Sequence, residues 1–267
     1  MQEFAQKTIF VAGRENIMLI ENPKGNFKFI KGRVPFSLGA VADSGYEVVH
    51  VTLNPLPALA AGFDLVENHL HGLGRPLNAL CGMELRIPKP LSYQGFVEFN
   101  QGYIEKLTSW KVHVGDLNPV ARTNVAIEVE PVPGPSLYGF SFTVPSHHQQ
   151  KTFVLSGVPE LKPGGIGERE VVAPGDITLS GMHQKVDQVL ASVTALLQQV
   201  PATWADPTTI DIYTVHDFHP LLETTVLRRI KSANLHGIHW HYARPPVSDS
   251  EFEMDVRRVV QELILAG

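Results

Sequence analysis

The sequence predicts an α+β protein built from two half-domains, each a mixed sheet with two helices on one face. Strand-like and helical periodicities follow the order β-α-β-α-β-β before residue 145, and the same order returns after residue 152. Between the two runs lies a short polar stretch, Pro145-Ser146-His147-His148-Gln149-Gln150-Lys151, of linker composition. The chain has 267 residues, 43% hydrophobic and 18% charged, which suffices for two cores of common size. The expected division is 1–145, a linker 146–151 and 152–267. A single α+β domain with accidental symmetry is the alternative.

The elements follow in order. Short strands are expected at 8–11, 17–20 and 27–30, with Asn22-Pro23-Lys24-Gly25 as a hairpin turn by its residue types. Residues 47–53 read as another extended piece. Leu59, Phe63, Val66, Leu70 and Leu73 recur at helical spacing over 56–73, and Gly72 or Gly74 can close that helix. Residues 77–87 form a strand ended by Pro88 and Pro90. Phe96, Phe99, Tyr103, Leu107 and Trp110 lie on one side of a helix over 96–110. Two strands joined by a Pro/Gly turn, the first over 120–129, complete the half. In the second half, 152–156 is a strand and 179–200 a long helix burying Met182, Val186, Val189, Leu190, Val193, Leu196 and Leu197. A strand at 209–215, a helix at 220–230 and closing strands at 237–243 and 252–256 follow.

Composition excludes several classes. A net charge of -5 advertises no nucleic-acid surface, and no apolar run approaches the roughly 20 residues of a membrane span. The first residues, MQEFAQKTIF, lack the basic and apolar regions of a secretory signal. The single cysteine, Cys81, allows no internal disulfide, fits a cytoplasmic location, and sits in an apolar strand as a structural thiol rather than a nucleophile. The Gly164-Gly165-Ile166-Gly167 piece neither follows a strand nor opens a helix, so a phosphate loop is not expected.

The most informative segment runs from Gly95 to Val144: a helix, a loop ending in Asn118-Pro119-Val120-Ala121-Arg122, then two strands. An arginine at the mouth of an apolar strand needs an anionic partner, and its planar fork suits a carboxylate. This segment resembles about the C-terminal third of a RidA/YjgF domain, a small trimeric fold of the chorismate-mutase type, some members of which hydrolyse imines and enamines. The resemblance implies that Arg122 clamps a substrate carboxylate, that Asn100 aims its amide at the cleft, and that Leu155-Ser156-Gly157 is the family's Ser-Gly turn. Lys31-Gly32-Arg33 occupies that turn in the first half with its polar residues replaced. The first half also departs at Leu137-Tyr138-Gly139-Phe140, where the family's acid would stand, and the second half has Gly237 where the arginine would fall. Its last strand, however, keeps Glu251, Glu253 and Asp255. A site shared between the halves would therefore draw Arg122 from one and Asp255 or Glu253 from the other. The bare sheet faces of such halves must be covered, either by pairing inside the chain or by trimerisation.

Twelve histidines are many for this length, and His239 and His241 alternate on one strand, sharing a face near His216 and His219. Three readings stay open: a metal site, a general acid and base near neutral pH, or a polar strip lining the cleft. His69 and His71 read as surface or helix-end residues, and His147 and His148 as linker. Arg122 has a structural alternative, an ion pair with Glu98 or Asp116. Arg244 is a second anion contact or an exposed turn residue. Tyr138 and Trp240 fill core or interface space, or stack on a conjugated ligand.

The expected function is hydrolytic deamination of a small carboxylate-bearing imine or enamine without a cofactor. The resemblance extends this to a ring-cleavage product such as a 2-aminomuconate. Catalysis would fall to Asp255, Glu253, His239 or His241, with Arg122, Asn100, Ser156, Tyr138 and Arg244 binding substrate. A chorismatase-like hydrolase, a non-catalytic carboxylate-binding protein and a histidine-ligated metalloenzyme are the alternatives. The expected partners are a small-molecule carboxylate and further copies of the chain, in a homotrimer, with neither nucleic acid nor membrane.

Overall fold

A computed structural model describes residues 19–32, 35–162 and 170–267. Two mixed sheets lie face to face, each covered by helices on its outer face. The first sheet contains β1 (Leu19–Asn22), β2 (Phe27–Ile30) and β3 (Gly39–Ala42). The second contains β4 (Tyr46–Leu53), β5 (Leu80–Ile87), β6 (Ala121–Ile127) and β7 (Ser136–Pro145), with helices α1 (Leu59–Gly72) and α2 (Tyr93–Ser109) between them in sequence. The later elements are β8 (Phe153–Leu155), β9 (Val158–Pro159), α3 (Leu179–Gln199), β10 (Thr209–Tyr213), β11 (His239–His241), β12 (Ala243–Arg244), β13 (Glu253–Arg258) and β14 (Gln261–Leu265). Strand order is β1-β2-β3-β8-β13-β10-β11 in one sheet, with β9 also on β13, and β12-β6-β5-β7-β4-β14 in the other.

The outer cores follow the helical stripes. Phe63, Val66 and Leu70 of α1 and Tyr103 and Leu107 of α2 pack on the second sheet. Val186, Val189, Leu190 and Val193 of α3 pack on the first sheet, joined by Leu221, Val226 and Ile230. Ser92 Oγ caps α2 by accepting from the Gly95 N–H at 3.1 Å, and Thr178 Oγ1 accepts from Gly181 N at 3.3 Å at the start of α3. The inner faces meet through Phe27, Phe29, Ala40 and Val154 from one sheet and Val48, Cys81 and Ala121 from the other. Each bare face thus covers the other within one chain. Cys81 is fully buried there, and burial pushes its thiol pKa upward.

Sheet membership does not respect chain order. The polar stretch at 146–151 does fall between β7 and β8, yet β1, β2 and β3 join the sheet of the second half. In return β12 pairs antiparallel with β6, and β14 pairs parallel with β4, Leu263 opposite Val51.

Several local expectations are corrected. Leu77–Ala79 is a 3₁₀ turn, so the strand begins at Leu80. The single strand expected at 237–243 is two: β11 runs parallel to β10 in one sheet, while β12 belongs to the other. The helix expected over 220–230 carries a π stretch at Leu222–Leu227. Strands β3 and β14 were not foreseen. The expected strand 8–11, Ile17 and Met18 of 17–20, Arg33 of the first glycine turn and the Gly164–Gly167 piece lie outside the described residues.

Candidate functional site

Strand β6 lies beside β5 in the second sheet, and its first residues are fixed from both flanks. The Ser37 N–H donates to Val120 O at 3.0 Å, the Arg122 N–H donates to Ser156 Oγ at 2.9 Å, and the Gly157 N–H donates to Arg122 O at 3.2 Å. Ser156 in turn donates its hydroxyl to Ser37 O at 2.6 Å. The Ser-Gly turn therefore holds the arginine's backbone, and the serine hydroxyl is already engaged. The Arg122 guanidinium carbon lies 4.6, 5.4 and 4.8 Å from the ring centres of Phe36, Phe96 and Tyr103. This aromatic box attracts the cation through the ring quadrupoles and restricts its rotation.

Arg122 and Glu253 line one pocket together with Phe36, Asn124, Gly157 and Ser250. Arg122 and Asn124 share a strand face by their i, i+2 spacing, and Glu253 arrives from β13 of the opposite sheet. All three are at most 3% exposed, as is Ser250. Gly157 makes the close approach possible: a Cβ there would overlap Glu253 Oε1. Among the described residues neither the Asn124 amide oxygen, nor its nitrogen, nor the Ser250 hydroxyl has a hydrogen-bond partner. Buried polar atoms of this kind cost about 1–3 kcal/mol each unless something satisfies them, so their place in one pocket lining makes it the candidate site for a polar ligand.

Asp255, two residues along β13, faces a second, smaller cavity between the sheets, lined also by Arg122, Thr123, Glu84 and Arg257. Asp255 Oδ2 accepts from Thr123 Oγ1 at 2.6 Å and from Tyr213 OH at 3.0 Å. Burial, with Asp211 and Glu84 nearby, raises its pKa well above the usual carboxylate range. Asp211 behaves oppositely. Although burial works against its charge, hydrogen bonds from His239 and His241 and the Arg257 cation hold its pKa well down. Arg257 donates to Asp211 Oδ2 at 2.6 Å and to Glu262 Oε1 at 3.0 Å.

The other expected site residues lie elsewhere. His241 Nε2 is 2.8 Å and His239 Nδ1 3.3 Å from the same Asp211 oxygen, and neither histidine lines the Arg122 pocket. Among the described residues no three His, Cys, Asp or Glu side chains stand together as metal ligands. Tyr138 covers the Arg86 guanidinium at 3.8 Å. Arg244 makes a two-pronged pair with Glu128 at 2.7 and 3.1 Å. Asn100 is buried on α2, its amide oxygen unpartnered among the described residues and outside the pocket lining. Glu98 and Asp116, the alternative partners for Arg122, are both exposed whereas Arg122 is buried.

Residues 19–263 match the family model described as 2-aminomuconate deaminase CnbZ. The 2-amino-5-chloromuconate deaminase of Comamonas testosteroni is 35% identical over 244 residues, covering 90% of this chain and 96% of that protein. The chain belongs to the CnbZ family of 2-aminomuconate deaminases. The activity class expected from the sequence, deamination at a carbon–nitrogen bond, is that of this family. Among solved structures, a chorismatase aligns with 88% of this chain and 77% of its own at 12% identity and a TM-score of 0.44. A putative endoribonuclease from Thermotoga maritima aligns with 41% of this chain and 80% of its own at 16% identity and a TM-score of 0.27.

In this CnbZ-family chain, sequence reasoning missed Asn124, Ser250 and the Thr123–Asp255–Tyr213 contacts. Asn124 carried a signal, since it stands two residues beyond Arg122 on the same strand. Ser250 carried none, because a loop serine between Asp249 and Glu251 reads as solvent-facing.

Proposed function

We propose that this chain hydrolyses a 2-aminomuconate-type dienoate to the corresponding 2-oxo acid and ammonia in the pocket shared by Arg122 and Glu253. The observation that carries the reading is the convergence there of a caged arginine, a buried carboxylate from the opposite sheet, and the unpartnered polar atoms of Asn124 and Ser250. Arg122 binds the carboxylate next to the amine-bearing carbon. The substrate reacts as its imine, formed when the enamine takes a proton on a chain carbon and loses one from nitrogen. Glu253 accepts a proton from water as the oxygen adds to C2, giving a carbinolamine. That proton completes the amino group, Glu253 then moves the hydroxyl proton to the same nitrogen, and the C–N bond breaks so that ammonia leaves as the C2=O bond forms. One water is consumed and one ammonia released, so the step balances. Asn124 and Ser250 offer both donors and acceptors for the imine nitrogen and the remaining substrate oxygens.

Ammonia release from 2-aminomuconate tests this. Two charge-assisted hydrogen bonds at about 1.5–3 kcal/mol each make Arg122→Ala lose on the order of 10²-fold or more in kcat/KM. Glu253→Gln should lose kcat at little change in KM. Full turnover in both variants would remove the pocket from the mechanism. A homotrimer belongs to the same proposal. Strands β1, β11, β12 and β14 end the two sheets and offer edges for such an assembly, and light scattering on the eluting protein reads the mass.

A further inference from the structure

Helix α3 buries a lysine that its apolar stripe does not need. Lys185 is fully buried, and its Nζ donates to Glu160 Oε1 at 3.4 Å and to Val172 O at 3.0 Å. Glu160, also fully buried, spends its remaining acceptor capacity on two consecutive backbone donors. Its Oε1 accepts from Glu251 N at 2.5 Å and its Oε2 from Phe252 N at 3.3 Å. The next residue is Glu253. On the same short segment as Glu160, Pro159 stands opposite Glu253 in the β9–β13 pairing, and Gly157 leaves room for the Glu253 carboxylate. Residues 157–160 thus touch the approach to β13 at three successive points. A buried ion pair is an expensive way to stabilise a fold, since apolar residues of like volume do as well or better. Its directional bonds, however, specify one register of the strand that follows.

We propose that Glu160, neutralised by Lys185, is a positioning residue that sets residues 250–252 and thereby aims Glu253 and Ser250 into the pocket. The inference rests on the reading of Glu253 as the group that activates water. Glu160→Gln keeps an acceptor for one of the two N–H groups and loses the second, while Glu160→Gln/Lys185→Met also removes the stranded cation. In both variants kcat on 2-aminomuconate should fall at least about 10-fold, with KM within about 3-fold, because a misplaced catalytic group costs rate rather than affinity. The acid limb of the kcat profile should move as well, since it reports the surroundings of Glu253. The double variant should regain thermal stability over Glu160→Gln without regaining kcat. Recovery of kcat together with stability would make the pair merely structural and overturn the proposal, as would wild-type kcat in Glu160→Gln. Glu253→Gln, measured alongside, separates the two ideas. If it retains turnover, the reading of Glu253 fails and the positioning role with it. If it is inactive while the Glu160 variants keep wild-type kcat and pH profile, the positioning role alone fails.

Discussion

Asp255→Asn distinguishes the two carboxylates that strand β13 sends between the sheets. Asp255 is 3% exposed and its Oδ2 receives hydrogen bonds from Thr123 and Tyr213, both of which an asparagine Oδ1 can accept. Its pKa is raised well above the ordinary aspartate value by burial and by Asp211 and Glu84. A carboxyl that holds its proton more tightly when folded contributes its full stability below the ordinary value of about 4. That contribution drains away as pH climbs toward the folded value, at about 1.4 kcal/mol per pH unit. The amide has no such dependence. Its own cost, from exchanging a hydroxyl donor for an NH₂ in a tight space, is on the order of 1 kcal/mol. The slope overtakes that cost within about one pH unit, so the variant should be the less stable protein near pH 4 and the more stable one above about pH 5.

Urea unfolding of both proteins at several pH values between 4 and 8 measures the difference directly. A difference that stays flat across the range would refute a neutral Asp255. A variant that loses ground as pH rises would show instead that Asp255 is ionised and paired with Arg257. The kinetic half is independent: turnover should stay within about 3-fold of wild type, because a proton-bearing acid locked by two donors is a poor base for water. A loss as large as that of Glu253→Gln would transfer the base role to Asp255.

Gly157→Ala should cut kcat by about 10–100-fold with a smaller effect on melting temperature, since the added Cβ overlaps Glu253 Oε1 and an ångström of displacement is worth that much in rate. Unchanged kcat would mean the carboxylate needs no fixed place. Asp211→Asn should lower the His239 pKa, which the hydrogen bond its ring donates to Asp211 raises against the pull of burial; a two-dimensional NMR titration of the imidazoles reads it, and an unmoved midpoint would sever the pair. Turnover of this variant should persist, because neither histidine lines the Arg122 pocket. Phe29→Ala removes a fully buried ring from the inter-sheet core and should cost about 3–5 kcal/mol in denaturant unfolding; a loss under about 1 kcal/mol would show that the two sheets part there without penalty.

The helices were legible because their buried stripes are local. Phe63, Val66 and Leu70 announce α1, and the stripe from Met182 to Leu197 announces α3, to within three residues of the observed ends. The missed strand β14 shows why strands are harder. Its sequence QELIL follows β13 after only two valines, its burial is partial, and the partner that makes it a strand, β4, lies about two hundred residues earlier. Splitting 239–244 between two sheets is invisible for the same reason, since the change of partner occurs at one residue, Tyr242, whose type permits either. Of the two residues that share the pocket, Arg122 stands out on a mostly apolar strand, whereas Glu253 lies on the charged strand EMDVRR and was picked out by the resemblance. The buried bonds around them could not be read: Thr123 to Asp255 spans 132 positions and Glu160 to Glu251 spans 91.

Strand exchange gives the site its chemistry. With β3 placed beside β8 and β12 beside β6, each sheet carries strands from both parts of the chain. The inner faces would otherwise be free to slide, and a one-residue slip of β13 would swap Glu253 for Met254 at the pocket wall. A cross-sheet site tolerates no such slip, because the arginine and the carboxylate sit on different sheets and share no backbone hydrogen bond. Register must then come from contacts that bridge the sheets, the Gly157 N–H on Arg122 O and the Thr123 hydroxyl on Asp255, and from the Glu160 carboxylate that holds the entry to β13 within its own sheet. These are polar, buried and directional, as apolar packing alone is not. The polar core between the sheets, costly for stability, therefore fixes where Arg122 and Glu253 stand relative to one another.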